Sequence, residues 1–311
     1  MRGSLRRSRQ ITTGAAALLA AFACGCGPRT LIVVDPDPCL DGGTALGCPI
    51  PPVQCTDGGI QITGIPGCVP FALIDGLVGY WPLNDGAGST IAKDLTEKNP
   101  GTLVELNPAT AWTTAGKAAG ALNVAGAGFV NVLDSPSIDS ITDQVTIAGW
   151  GYLSATGTID VYATLASREE GTTIDQHYHI SINSNGEVPA LWLKTEMGTK
   201  LLEGPTAVMR QTWIHIAGTY DGMTARLYLN GQQVDSKPIT GRFVADTTPF
   251  ILGANGNGNA SGAPNVSERF PGRIDEIMLY RRALSAAEIG QIYQGALFAS
   301  PLPGQDGGAR D

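Results

Sequence analysis

The chain has 311 residues, 43% hydrophobic and 15% charged, with 41 Gly and 20 Pro. That much Gly and Pro along the whole length excludes helix bundles and coiled coils, which need long uninterrupted helical runs. Twenty basic against 28 acidic side chains give a net charge of −8, which argues against holding nucleic acid through its phosphates.

Residues 1–26 have the three parts of an export signal. Arg2, Arg6, Arg7 and Arg9 form a basic start, Ala15 to Ala23 an apolar stretch too short to span a bilayer, and Cys24-Gly25-Cys26 the end. Small residues running into a Cys resemble a bacterial lipoprotein cleavage box, with Cys24 or Cys26 as the lipidated residue. The rival reading is an ordinary secretory signal cut near Ala23. The expected address is the bacterial cell envelope, outer membrane or cell surface, with the N-terminal lipid as the only membrane contact.

All six Cys lie before residue 69, and every aromatic except Phe22 lies after residue 70. This partition sets a domain boundary. Residues 27–76 read as a tether: from Pro28 to Pro70 they are rich in Pro and Gly and hold no aromatic, so they offer little bulk for a core. Within it Cys39-Leu-Asp-Gly-Gly runs to Gly47-Cys48, and Cys55-Thr-Asp-Gly-Gly runs to Gly67-Cys68. Asp-Gly-Gly favours a tight turn that brings flanking Cys together. In an exported chain Cys39, Cys48, Cys55 and Cys68 read as two disulfides, and the repeat favours Cys39–Cys48 and Cys55–Cys68. A zinc site is disfavoured by the lack of Cys-x-x-Cys and of nearby His.

From Leu77 to residue 298 the texture changes to short β-rich runs broken by Gly, Asn, Asp and Pro. Tyr80-Trp81-Pro82-Leu83, Phe129–Val132, Val145–Trp150, His177–Ile182, Trp213–Ala217, Ala225–Leu229 and Phe250–Leu252 read as strands. Asp221-Gly222 and Asn230-Gly231 suit the positive φ of primed hairpin turns. The class is all-β, an antiparallel sandwich or barrel. One helix is signed near the end: Ser285 and Glu288 form a capping box, and Leu284 and Ile289 stand where a hydrophobic staple would sit. Residues 299–311 read as a flexible tail.

The stretch from about Leu77 to Gln294 resembles bacterial LamG-like domains (laminin G type three) of the concanavalin A-like lectin/glucanase superfamily. Four segments carry the resemblance: Gly79–Asp85 with Asp94-Leu95-Thr96; Val145–Trp150; Trp213–Gly222 continuing to Leu227–Gly231; and Gly272–Tyr280 with Leu284-Ser285 and Glu288-Ile289. The resemblance implies two antiparallel sheets packed as a jelly roll with one short C-terminal helix. It also implies a structural Ca²⁺ held by Asp94 and Asp275, with Glu276 next; the competing roles are an Asx turn at Asp94 and an ion pair of Asp275 with Arg273 or Arg281.

The glucanase arrangement of two glutamates around an Asp on one strand does not occur, and Asp275 and Glu276, being adjacent, are expected on opposite sides of their strand. No other catalytic motif is present, so the reading is a non-enzymatic binding module for carbohydrate or for an envelope or extracellular protein. A diverged glycoside hydrolase or lyase and a purely structural envelope protein are the alternatives. Asn255, Asn257 and Asn259 lie in a Gly-rich loop whose amides match sugar hydroxyls. Trp112 and Trp192 are candidates to stack on a sugar ring, whereas Trp81, Trp150 and Trp213 are expected in the core. His177 and His179 share a strand face and form a weak metal pair, and His215 reads as a satisfied structural residue.

Overall fold

The predicted strands pair into two large antiparallel sheets. The computed structural model describes residues 69–297, apart from 126, 170–175, 245–246 and 257–265. After a short 3-10 turn the chain forms β1 (Leu77–Trp81), β2 (Ile91–Ala92), β3 (Gly101–Val104), the single turn α1 (Pro108–Ala111), β4 (Trp112–Ala118), β5 (Gly120–Asn123) and β6 (Phe129–Val132). The turn α2 (Pro136–Asp139) leads into β7 (Val145–Leu153), β8 (Tyr162–Glu169), β9 (Gln176–Asn183), β10 (Val188–Thr195) and β11 (Gly198–Glu203). Then come β12 (Trp213–Tyr220), β13 (Thr224–Leu229), β14 (Gln232–Pro238), β15 (Phe250–Leu252), the small pair β16 (Asn255–Gly256) and β17 (Val266–Ser267), β18 (Gly272–Tyr280) and the helix α3 (Ala286–Tyr293).

The first sheet runs β14-β13-β12-β7-β18-β5-β4, with β1 also on β18; the second runs β11-β10-β9-β8-β15-β6-β3-β2. Trp81, Ile147, Ile216 and Ile277 from the first sheet meet Ile180, Leu191, Phe250 and Leu252 from the second in one buried core. Non-local antiparallel ladders of this kind make a jelly-roll sandwich, as expected from the strand pattern.

The central strands of the first sheet, β7, β12 and β18, are buried almost end to end rather than on alternate residues. The reason is a second layer on their outer face. There Val69, Leu73, Leu284, Ile289, Ile292 and Leu297 pack on Tyr80, Ala148, Ala217 and Met278. Val69 and Leu73, which precede Leu77, therefore belong to the packed body. Burying side chains such as Ile289 and Ile292 is worth roughly 1.5–3 kcal/mol each, and this holds so short a helix in place. Its start is the predicted capping box: Ser285 Oγ accepts from the Glu288 N–H, and Glu288 accepts from the Ser285 N–H at 2.7 Å. Gly149 is required where the core is tightest, since a Cβ there would stand 2.3 Å from Ile277 Cδ1.

Two local expectations change. Asn230 and Gly231 both have positive φ (49° and 79°), as a primed turn needs, but of the other pair only Gly222 does (90°). Asp221 instead bonds its own backbone, accepting from Met223 N and Thr224 N. On β18, Ile274 and Ile277 both enter the core, and the register shifts between Asp275 and Met278. The two residues between them, Asp275 and Glu276, therefore both point outward, with Glu276 at φ 51°. A β-bulge has cancelled the expected alternation.

Candidate functional site

The outer face of the second sheet is set by the register of β8, β9, β10 and β11. One row reads Thr164–Ser181–Ala190–Glu203, with Tyr162 opposite Asn183 on one side and Ser167–His179–Trp192–Leu201 on the other. The intervening Ile180, Ile182, Leu191, Leu193 and Leu202 enter the core, so period-two alternation sends the polar residues outward. His179 lies at the middle of a line of rings: stacked on Trp192 (centroids 6.2 Å, 18°) and edge-on to Tyr162 (5.4 Å). Tyr162 and Trp192 are half-buried.

Polar atoms without partners lie on this face, as they also do at His215, Thr219 and Glu276 on the outer face of the first sheet. His179 (1% exposed), Ser181 and Thr164 (both 0%) and Asn255 (3%) are all buried. Among the described residues, both His179 ring nitrogens, Ser181 Oγ, Thr164 Oγ1, Trp192 Nε1 and Asn255 Oδ1 have no hydrogen-bond partner. Each unmet group costs about 1–3 kcal/mol, a cost that a bound molecule or water offering donors and acceptors together would recover. Burial pushes the His179 pKa down to about 3, so its imidazole is neutral, with one donor and one acceptor nitrogen.

Carboxylates flank the rings. Glu203 accepts the Asn183 side-chain amide, and Glu268 accepts that of Asn255 at 2.9 Å. Burial, then the nearby Glu203 and Glu268 charges, push the Tyr162 phenol above its ordinary value. Burial also raises Glu268, with Asp160 adding to the shift and the Asn255 bond opposing it. A phenol made less acidic is a poor nucleophile.

The residues singled out from the sequence scatter. Asn255 belongs to this face; Asn257 and Asn259 lie outside the described residues, as do Cys24, Cys26, Cys39, Cys48, Cys55 and Cys68. Asp94 is an N–H cap: Oδ1 accepts from Tyr80 N and Thr96 N, and Oδ2 from Thr96 Oγ1, Lys98 N and Asn99 N. Asp275 accepts from Lys117 N, Ala118 N and Glu276 N, rather than pairing with Arg273 or Arg281. Oxygens occupied by donors do not fit the six to eight oxygen ligands of Ca²⁺, and no group of three metal-ligating side chains occurs among the described residues. His177 packs near Phe243 (5.9 Å), apart from the Trp192 stack.

The tryptophans also redistribute. Trp81 and Trp150 are buried as expected, but Trp213 is half-exposed beside Tyr152 (5.5 Å) and Arg273. Trp112 is buried and donates Nε1 to the Ser89 carbonyl (2.8 Å), one wall of a groove of about 370 Å³. Burial holds His215 near pKa 3, as it does His179. Neither His215 ring nitrogen has a partner among the described residues, so it is buried but not hydrogen-bonded. Sequence reasoning missed Tyr162, Thr164, Ser181, Glu203 and Glu268. The signal for one strand was present, in His179, Ser181 and Asn183 alternating with Tyr178, Ile180 and Ile182, but the partners come from strands whose pairing the sequence does not display.

Residues 125–290 match the family model Laminin_G_3 of the concanavalin A-like lectin/glucanases superfamily, over half of the chain. The chain belongs to this family. Among solved structures, this laminin G type chain is similar to domain 4 of AbnA, a GH43 extracellular arabinanase from Geobacillus stearothermophilus, in complex with arabinotriose. Identity is 19% over 70% of this chain and 98% of that one, with a TM-score of 0.50. It is also similar to the binding domain of Paraclostridial Mosquitocidal Protein 1 (20% identity, 71% and 52% covered, TM-score 0.50). A third likeness is the receptor binding domain of botulinum neurotoxin mosaic serotype C/D (13%, 72% and 51%, TM-score 0.52). The chain spans about half the length of the latter two. These likenesses share the fold. No curated protein matches the chain.

Proposed function

We propose that this protein is a carbohydrate-binding module that recognises a saccharide on the outer face of its second sheet and does not cut it. The observation that carries the reading is the set of buried, unpartnered polar atoms on His179, Ser181, Thr164, Trp192 and Asn255 beside the half-buried rings of Tyr162 and Trp192. Sugars offer the same combination: hydroxyls that both donate and accept, and apolar ring faces that stack on aromatics. The arabinotriose complex of AbnA domain 4, on the same fold, is consistent with it. A glycan array of the full chain, followed by calorimetry on the hits, tests the reading. Binding abolished or weakened at least tenfold by Trp192→Ala supports it; silence across the array, or hits that Trp192→Ala leaves unchanged, refutes it.

We also infer that the module is exported and lipid-anchored through Cys24 or Cys26, and that the tether is stapled by Cys39–Cys48 and Cys55–Cys68. The Cys-ending leader and the repeated Cys-x-Asp-Gly-Gly unit support this. Intact-mass analysis of the native protein, with and without reductant, reads lipid and disulfides together. An unmodified chain starting near Gly25 or four free thiols contradicts it.

A further inference from the structure

Among the described residues, the carboxylates around the candidate face carry no cation of their own, as Asp94 and Asp275 also do not, but unlike those two they are not saturated by backbone N–H donors. Glu187 is paired with Arg210, Asp221 with Arg226, Glu288 with Arg282, and Asp134 and Asp139 with Arg168. Among the described residues, Glu203, Glu268 and Asp160 form no ion pair. Glu203 and Glu268 each spend one oxygen on a neighbouring amide, Asn183 and Asn255 respectively. Asn183, which Glu203 holds, is the cross-strand partner of Tyr162, and two residues along the same strand Thr164 N donates to the Glu268 carbonyl at 3.1 Å, so both acids stand beside Tyr162. Lys194 shares the face but lies beyond Trp192, away from the Ala190–Glu203 row.

Glu203 and Glu268 are half-buried; carboxylates so placed without a cation lose hydration, and a bound cation offsets that cost. The neighbouring surface asks for more than a bare ion. His179, Ser181 and Asn255, all at least nine-tenths buried, present unmet donors and acceptors to the same face, and Tyr162 presents a ring on which a cation is favoured.

We propose that the ligand is an amine-bearing saccharide, a 2-amino-2-deoxy sugar unit, whose ammonium sits before Tyr162 between Glu203 and Glu268 while its hydroxyls meet His179, Ser181 and Asn255. The proposal rests on the carbohydrate reading above and narrows it. The same charges disfavour uronate, sialylated and sulfated glycans, whose anions would face unpaired carboxylates.

Calorimetry of the full chain at pH 6 with four oligosaccharides of equal length tests it: glucosamine, N-acetylglucosamine, glucose and galacturonate. The glucosamine oligomer should bind about tenfold tighter than its N-acetylated counterpart, one charge-assisted contact's worth. The preference should shrink as salt rises from 20 to 500 mM, on the order of a Debye length falling from about 20 to 4 Å. Glu203→Gln and Glu268→Gln should each cut the ratio of glucosamine to N-acetylglucosamine affinity at least about threefold, whatever they do to the N-acetylglucosamine affinity itself; a ratio that neither variant moves contradicts the placement of the ammonium. The salt series needs only the unmodified protein, so it decides even where a variant folds poorly. Equal binding of the amine and its acetylated form, a preference insensitive to salt, or tighter galacturonate binding overturns the inference while leaving carbohydrate recognition standing. No binding to any of the four overturns the inference; the glycan array then decides separately whether carbohydrate recognition falls with it.

Discussion

Each sheet carries a buried histidine at the centre of its outer face, and the two are treated differently. On the first sheet His215 packs against Trp150 (5.2 Å) and Tyr293 (6.0 Å), and Tyr293, at the end of α3, stacks on Trp150 at 5.4 Å and 17°. Ile289, Ile292, Leu73 and Leu297 complete an apolar seal. On the second sheet His179 also lies between two rings, Trp192 and Tyr162, but their surroundings are amides, hydroxyls and unpaired carboxylates. Burial lowers both imidazoles to about 3. A buried aromatic-flanked histidine is therefore not in itself a recognition device in this fold. What separates the faces is the second layer: over one the apolar side chains of α3 and of Val69 and Leu73 close, with Lys117 over Trp150 at the edge, and around the other there is no such layer among the described residues, only a polar rim with acids.

The comparison can be broken most directly at the seal. Ile292→Ala should cost about 2–5 kcal/mol by urea unfolding, through lost burial and the cavity left behind, without changing saccharide affinity in the folded protein. A parallel loss of affinity would show that the faces are not independent. Trp192→Ala should do the reverse, costing saccharide affinity about tenfold while unfolding free energy moves by about 1 kcal/mol. Ser285→Ala, removing the capping hydroxyl of α3, should cost about 1 kcal/mol of stability and no affinity.

The acid pair beneath α3 sharpens the contrast by its pH dependence. Burial, and then the Asp275 charge, raise Glu276 well above its ordinary 4.5, and its carboxyl meets the Tyr80 hydroxyl, which also meets the Leu297 carbonyl. A raised acid contributes stability that is complete below pH 4.5 and is lost as pH rises through the folded value. The depressed imidazoles act oppositely, contributing above their ordinary 6.5 and losing it as pH falls. Thermal melts from pH 5 to 9 should therefore show Glu276→Gln losing less stability on the alkaline side than the unmodified chain; identical profiles would remove Glu276 from the account.

Much of the fold was legible because local chemistry and tertiary structure agree. Asn230-Gly231 supplied a turn that only positive φ permits, Ser285 and Glu288 closed their capping box, and alternation placed His179, Ser181 and Asn183 on one face. Legibility ended where a single residue altered the period. The bulge at Asp275-Glu276 put two adjacent acids on one side, and Val69 and Leu73 joined the body only because the outer face of the first sheet needed covering. The candidate site was the least readable part, since Tyr162, His179, Trp192 and Glu203 come from four strands and meet only through register. Asp94 and Asp275 looked like cation ligands in the sequence because a carboxylate that caps peptide N–H groups and one that binds a metal are the same residue type.

The three imidazoles, His177, His179 and His215, give the most direct test. Their ring nitrogens can be followed by NMR during titration with the best-binding saccharide of the array, each assigned by its own substitution. The account predicts that His179 shifts progressively with saturation while His215, under its apolar seal, stays in place. Movement of His215, or a saturating ligand that leaves His179 unmoved, would contradict the assignment of recognition to the second sheet.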